Sequence, residues 1–213
     1  DTVSGPPLAG LVTASDGHRY VVRKQPPGDL LKGAHAVDRE YRVLDALKDT
    51  GVPVPRTLLM CEDADIIAHE FGHAVQHDQN ACWGGGAMGA MGEGFGDYLA
   101  ASFFADAGDA TFQGSHAACV GEWDASSFSS STPPCLRRVD GNKQYPDDYV
   151  GNPNTLHSDG EIWSRALWDL RQALTATVAD QLVFEHHFLV PCQASMPDAA
   201  NQILQADINL NGG

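Results

Sequence analysis

Basic residues are scarce in this chain of 213 residues: 13 Lys and Arg stand against 28 Asp and Glu, a formal net charge of −15. Binders of nucleic acid neutralise phosphates with clustered cations, so this balance excludes a nucleic-acid partner. No apolar run approaches the ~20 residues needed to cross a bilayer, and no membrane partner is expected. No signal peptide opens the chain, which reads as soluble as it stands; a secreted protein met in mature form reads the same way. Calcium-wrapping loops of the DxDxDG type are absent, so the excess acid is read as a solvated surface, with Ca2+ binding as the alternative. Internal repeats are absent too. The run Gly84 to Gly96 offers Gly92-x-Gly94-x-Gly96, but no strand precedes it and no ribose-binding acid follows at the needed distance, which argues against a dinucleotide site.

Five cysteines cannot all pair with one another. Cys119 and Cys135 flank a Ser-rich loop with little apolar content to hold itself together, which favours a disulfide across it. Cys82 and Cys192 are candidates for a second, leaving Cys61 as the odd thiol. Such pairs favour an oxidising compartment and a secreted or extracellular location.

What is present is 43% hydrophobic residues, enough for a packed core, with acid placed unevenly. Residues 1–63 hold 8 Lys and Arg against 9 Asp and Glu, and residues 64–213 hold 5 against 19. That shift marks a boundary near Asp63 and two segments, 1–63 and 64–213. In the first, runs through Leu11-Val12 and Tyr20 to Val22 around Asp16-Gly17 predict a β-hairpin. Val37, Tyr41, Leu44 and Leu47 follow at helical spacing, and VPVPRTLLMCED reads as a short strand after a proline-restrained entry.

The second segment is organised around ADIIAHEFGHAVQHDQNACWGGGAMGAMGEGFGD, residues 64–97. On a helix, His69 and His73 project from one face a turn apart, within reach of one metal ion. Glu70, beside them, is a carboxylate able to take a proton from water at such an ion's open position. A catalytic zinc needs a third protein ligand. His77 lies roughly 12 Å along the helix from His69, too far to converge, and reads as a surface histidine. Glu93 is the better candidate: it opens a second helical run, EGFGDYLAASFFADA, after a Gly-rich turn. Asp97, one turn later, is placed to accept the outer N–H of a ligand histidine. Phe103 and Phe104 in that run read as core.

HEFGH, followed by GEGFGD with its glutamate 20 residues after the second histidine, resembles the gluzincin metallopeptidases, especially fungalysin and its bacterial relatives. The resemblance implies a zinc peptidase in which His69, His73 and Glu93 bind Zn2+ and Glu70 is the general base. LHSDGEIWSRALWDL resembles a later motif of that family, which implies that His157 stabilises the oxyanion. Two features depart from the pattern. Thermolysin-like enzymes carry a tyrosine between the second histidine and the glutamate ligand, and Ala74 to Gly92 contain none; the family's upstream β subdomain is replaced by residues 1–63. Within those, RYVVRKQPPG, AHAVDREYRVLDAL and TGVPVPR resemble the N-lobe of aminoglycoside phosphotransferase-like kinases, which implies a phosphate-holding pair at Arg23 and Glu40. The base and metal site of phosphoryl transfer are missing, so an ordinary salt bridge is the preferred reading of that pair.

The rest of the chain offers a long irregular stretch, Gly108 to Pro153, read as loop with short strands. In it Arg137 and Arg138 are cations for a substrate carbonyl or carboxylate, or for the surface. Helices are expected over Asp159 to Leu174, over Leu182 to Leu189, and over Ser195 to Ala206 with Ser195 as cap. His186 and His187 are adjacent, point apart and make a poor chelate. The expected fold is α+β: a small β-rich N-terminal region with one helix, then a mainly helical zincin-like subdomain. The expected function is zinc-dependent endopeptidase action on peptides or proteins. A catalytically weak zinc-binding chimera and a nucleotide-binding kinase-like module are the alternatives.

Overall fold

The structure, a computed structural model, describes residues 9–13, 18–23, 37–58, 60, 64–106, 116–127 and 129–213. The fold is α+β, mainly helical with small antiparallel sheets. The chain divides into two compact units between Cys61 and Glu62.

In the first unit β1 (Ala9–Thr13) and β2 (Arg19–Arg23) pair antiparallel, Leu11 opposite Val21 and Val12 opposite Tyr20. The Asp16-Gly17 turn lies outside the described residues. Helix α1 (Val37–Leu47) half-buries Val37, Tyr41, Leu44 and Leu47 and exposes Arg39, Arg42 and Val43, as the spacing of its apolar residues requires. Residues 52–58 and Met60 form no strand, which corrects the expectation from VPVPRTLLMCED. Pro53 and Pro55 each remove a ladder donor, and the β-prone residues between them are too few to compensate.

The second unit is built round one helix. α3 (Gly86–Asp106) is packed by α2 (Ala64–Gln79), by α5 (Leu156–Ala173) and by α6 (Ala176–Leu189). Helix α7 (Met196–Asn211) packs on α6. Between α3 and α5 the chain makes a two-stranded ladder, β3 (Cys119–Val120) with β4 (Arg137–Arg138), and a short helix, α4 (Glu122–Ala125). A helix enclosed on several sides must be apolar all round, and α3 buries Met88, Met91, Phe95, Tyr98, Ala100 and Ala101. It begins at Gly86, not at Glu93: the Gly-rich stretch read as a turn supplies its first two turns. Each helical glycine costs about 1 kcal/mol against alanine, a cost offset here by close helix approach. A Cβ on Gly94 would collide with Gly160 O of α5 and lie 2.9 Å from Ser164 N, while one on Gly160 would lie 2.8 Å from Ala90 O. Phe103 corrects a second expectation, being 60% exposed. The buried face of α3 follows Phe95, Tyr98 and Ser102, and Phe103 falls off it.

Two disulfides close the unit. Cys119–Cys135 and Cys82–Cys192 have Cα separations of 5.4 and 5.2 Å, in the ordinary range. Cys61 lies outside the described residues. Helix α7 begins with a full capping box at Ser195 and Asp198, and Pro197 sits in its first turn.

His187 is fully buried where α6 meets α2, with His186 fully buried beside it. Burial pushes His186 down to about 4, and burial with His186 alongside pushes His187 down to about 2. Both folded values lie below the ordinary 6.5, so the unfolded chain takes up protons first as the pH falls. This contribution to stability is complete above pH 6.5 and is lost from there downward, by up to about 1.4 kcal/mol per pH unit for each histidine. Thermal melts between pH 7.5 and 4.5 should show a melting temperature that falls steadily below pH 6.5; a flat profile would refute the neutral, buried pair.

Candidate metal centre

Helices α2 and α3 run antiparallel, and their facing turns assemble the site. His69 is nearly wholly buried, its ring seated over Gly96, where a Cβ would come within 2.7 Å of Nδ1. Its Nδ1 donates to Asp97 Oδ1 at 2.8 Å, which leaves Nε2 facing Glu93 Oε2 at 3.2 Å. His73 directs Nε2 at the same oxygen from 3.7 Å, and His157, in the first turn of α5, does so from 3.1 Å. Three imidazole nitrogens thus converge on one carboxylate oxygen. Among the described residues, His69, His73 and Glu93 form the one cluster of three potential metal donors, their donor atoms within 4.8 Å of one another. Ligands bound tetrahedrally at 2.0–2.1 Å are separated by roughly 3.3 Å, close to the spacings between Glu93 and the two α2 histidines. The donor chemistry fits as well: two neutral imidazoles and one carboxylate leave a fourth position open.

The electrostatics point the same way. Burial disfavours charge on His69, but the hydrogen bonds to Asp97 and Glu93 outweigh it and raise the imidazole to about 9. Burial likewise opposes charge on Glu93, and hydrogen bonds from His69 and His73 overcome it, holding the carboxyl well below its usual range.

Glu70 is exposed on α2 beside these donors, and His157 is 63% exposed. Solvent therefore reaches the side of the cluster that His157 borders. The backbone before α5 is fixed by Asp159, a buried carboxylate that accepts from Val150 N, Gly151 N and Thr155 Oγ1 at 3.2, 2.8 and 3.0 Å. His77 is exposed and apart from the donor cluster. No calcium-type cluster of carboxylates accompanies the site among the described residues.

Arg137 is the residue that sequence reasoning left open. It is neither at the surface nor spare: its Nε and Nη2 clasp Asp97 at 2.6 and 2.7 Å. Asp97 therefore serves two cations, and these bonds depress its pKa against the opposing effect of burial. No spacing rule links positions 97 and 137. The one hint was that Arg137 follows a cysteine-closed loop, which fixes it in place. Arg138 turns instead to Asp140 at 2.7 Å.

Comparison with known proteins divides the chain in the same region. Residues 60–213 match the sequence pattern of the family described as fungalysin metallopeptidase (M36). "Extracellular metalloproteinase MEP" of Fusarium vanettenii is 28% identical over 190 residues, 71% of this chain and 28% of that protein. The N-terminal part is similar to other proteins. "Acyl-CoA dehydrogenase family member 11" of Gallus gallus is 52% identical over 63 residues, 30% of this chain and 8% of that protein. "Probable acyl-CoA dehydrogenase IBR3" of Arabidopsis thaliana is 56% identical over 65 residues, again 30% and 8%. The chain thus spans less than a third of each of these relatives.

Proposed function

The chain belongs to the fungalysin metallopeptidase family through residues 60–213, and from that premise we propose that it is a zinc-dependent endopeptidase acting on peptide or protein substrates. The convergence of His69, His73 and Glu93 donor atoms within 4.8 Å carries this proposal. These three residues hold the zinc. A zinc ion there supplies Lewis acidity, polarising a carbonyl oxygen and lowering the pKa of water. Glu70 is the general base: its carboxylate takes the proton of the attacking water and returns it to the leaving amine. His157 donates its Nε2–H to the oxygen on which negative charge develops. Asp97 fixes the tautomer of His69, and Arg137 keeps Asp97 ionised. The two disulfides and the extracellular fungal relative support secretion.

A second reading is a zinc-binding chimera with little activity, favoured by the different relatives of residues 60–213 and of the N-terminal part. A kinase-like nucleotide site finds less support, because the Arg23–Glu40 pair, at 2.9 Å, is 41% exposed on both sides and behaves as an ordinary surface ion pair. Elemental analysis joined to hydrolysis of a quenched peptide tests the proposal. One zinc per chain is expected, with cleavage abolished by a chelator. Glu70→Gln should keep the zinc and lose at least about a hundredfold in kcat. Zinc without cleavage selects the chimera, and absence of zinc refutes both.

A further inference from the structure

His157 is the group of the site with the least around it. Its side chain is 63% exposed, and among the described residues its ring has one hydrogen-bond partner, Glu93 Oε2 at 3.1 Å. Packing orients an exposed ring poorly, so its place is set by the backbone that carries it. That backbone is anchored on both sides. Leu156, just before it, packs Cδ2 3.3 Å from the position of a Cβ on Gly89 of α3. Ser158, just after it, receives Lys143 Nζ at its carbonyl oxygen, at 2.9 Å, and at its hydroxyl, at 2.7 Å. Asp159 supplies the third anchor.

Thr155 stands at the N-cap of α5, yet its side chain caps no N–H of the first turn. Its hydroxyl lies 3.0 Å from Asp159 Oδ2 instead. The same oxygen accepts from Gly151 N at 2.8 Å, and Oδ1 accepts from Val150 N at 3.2 Å. One carboxylate thus ties residues 150, 151 and 155 to the first turn of α5, and His157 lies between the last of them and Asp159 itself. Asp159 is 1% exposed, and these three partners are neutral. Burying a carboxylate without a compensating cation costs several kcal/mol. An asparagine would avoid that cost, but its amide nitrogen is a donor and would face another donor at one of the two positions. Both atoms must accept here, which selects the carboxylate.

We infer that Asp159 is the positioning residue of His157: by accepting from Val150 N, Gly151 N and Thr155 Oγ1 it fixes the start of α5 so that the exposed imidazole stays directed at the metal centre. It does so through the backbone and makes no hydrogen bond to the ring. The role rests on the peptidase reading proposed above.

The test is a double-mutant cycle on hydrolysis of a quenched peptide by the full chain. Asp159→Asn is expected to lower kcat about 10- to 100-fold and to leave KM within about twofold, because the oxyanion contact is made in the transition state. In a His157→Ala background the same change is expected to cost less than about a further twofold, since the group it positions is gone. A purely structural role predicts equal losses in both backgrounds, and that result overturns the inference. Should Asp159→Asn fail to fold, Thr155 decides. Thr155→Val removes one of the three bonds and is expected to lower kcat, whereas Thr155→Ser keeps the bond and the parent's activity; parental kcat in Thr155→Val overturns the inference. A second readout needs no cleavage: carbon-13 relaxation of labelled histidine rings, with the His157 signal identified by its loss in His157→Ala. That ring is expected to gain motion in Asp159→Asn or Thr155→Val while the His69 ring does not, and unchanged motion of His157 overturns the inference. A parent chain that cleaves no peptide overturns the peptidase reading, and the ring measurement still judges what Asp159 holds.

Discussion

Gly94→Val is expected to lower stability by about 4 kcal/mol, at the upper end for overpacking, and the melting temperature by roughly 8–16 °C. Alanine at the same place would already collide with the Gly160 carbonyl and lie 2.9 Å from Ser164 N and Trp163 Cβ. These are mostly backbone atoms of a buried helix and cannot swing aside as a side-chain end would. The only relief is separation of α3 from α5. Helix propensity opposes the loss but gives back less than about 1 kcal/mol when glycine is replaced. The damage to the site should be selective. Glu93 and the histidines of α2 keep their shared packing, whereas His157 travels with α5, so zinc is expected to remain bound while peptide hydrolysis falls. Calorimetry together with zinc content checks both halves. A melting temperature within about 2 °C of the parent would mean that the two helices do not approach this closely.

Replacing Cys82 and Cys192 together by serine is expected to cost about 3–5 kcal/mol. The bond joins positions 110 apart, and in the chain-entropy account a loop of that length is worth close to 5 kcal/mol, against about 3 for a loop like that between Cys119 and Cys135. Part of the junction survives the loss, since Asn80 still ties the end of α2 to His187 O and Val190 O. The two pairs should therefore rank: the Cys82/Cys192 variant should melt below the Cys119/Cys135 variant, and both below the parent. Denaturant titration of the three proteins reads the order. Equal losses would show that closed-loop length does not govern this fold.

The cluster of His69, His73 and Glu93 was legible because helical spacing is local. His69 and His73 share a face by position alone, and Glu93 and Asp97 repeat that spacing on the next helix. The amphipathic stripe of α1 was legible for the same reason. What escaped is long-range or steric. The Arg137 clasp on Asp97 depends on where a disulfide-closed loop lands. The helical state of Gly86 to Gly92 depends on helices that need glycine in order to approach, and propensity argues against it. Phe103 was read as core from residue type, yet which side of α3 has neighbours is decided by packing. His186 and His187 were read as pointing apart, and nothing local revealed that both would be buried with ring centroids 4.6 Å apart, His187 against α2.

The order in which these contacts are separated along the chain has a kinetic consequence. His69 and Glu93 are 24 residues apart, Asp97 and Arg137 are 40 apart, and Gln76 meets His187 across 111. Closure entropy grows with the length of the loop, so the helical hairpin of α2 and α3 is the cheapest encounter to form. Its three donors are therefore expected to come together before α5, α6 or the Cys135 loop docks. An ion can thus be caught by a nascent hairpin, and the groups that orient its ligands close round it afterwards.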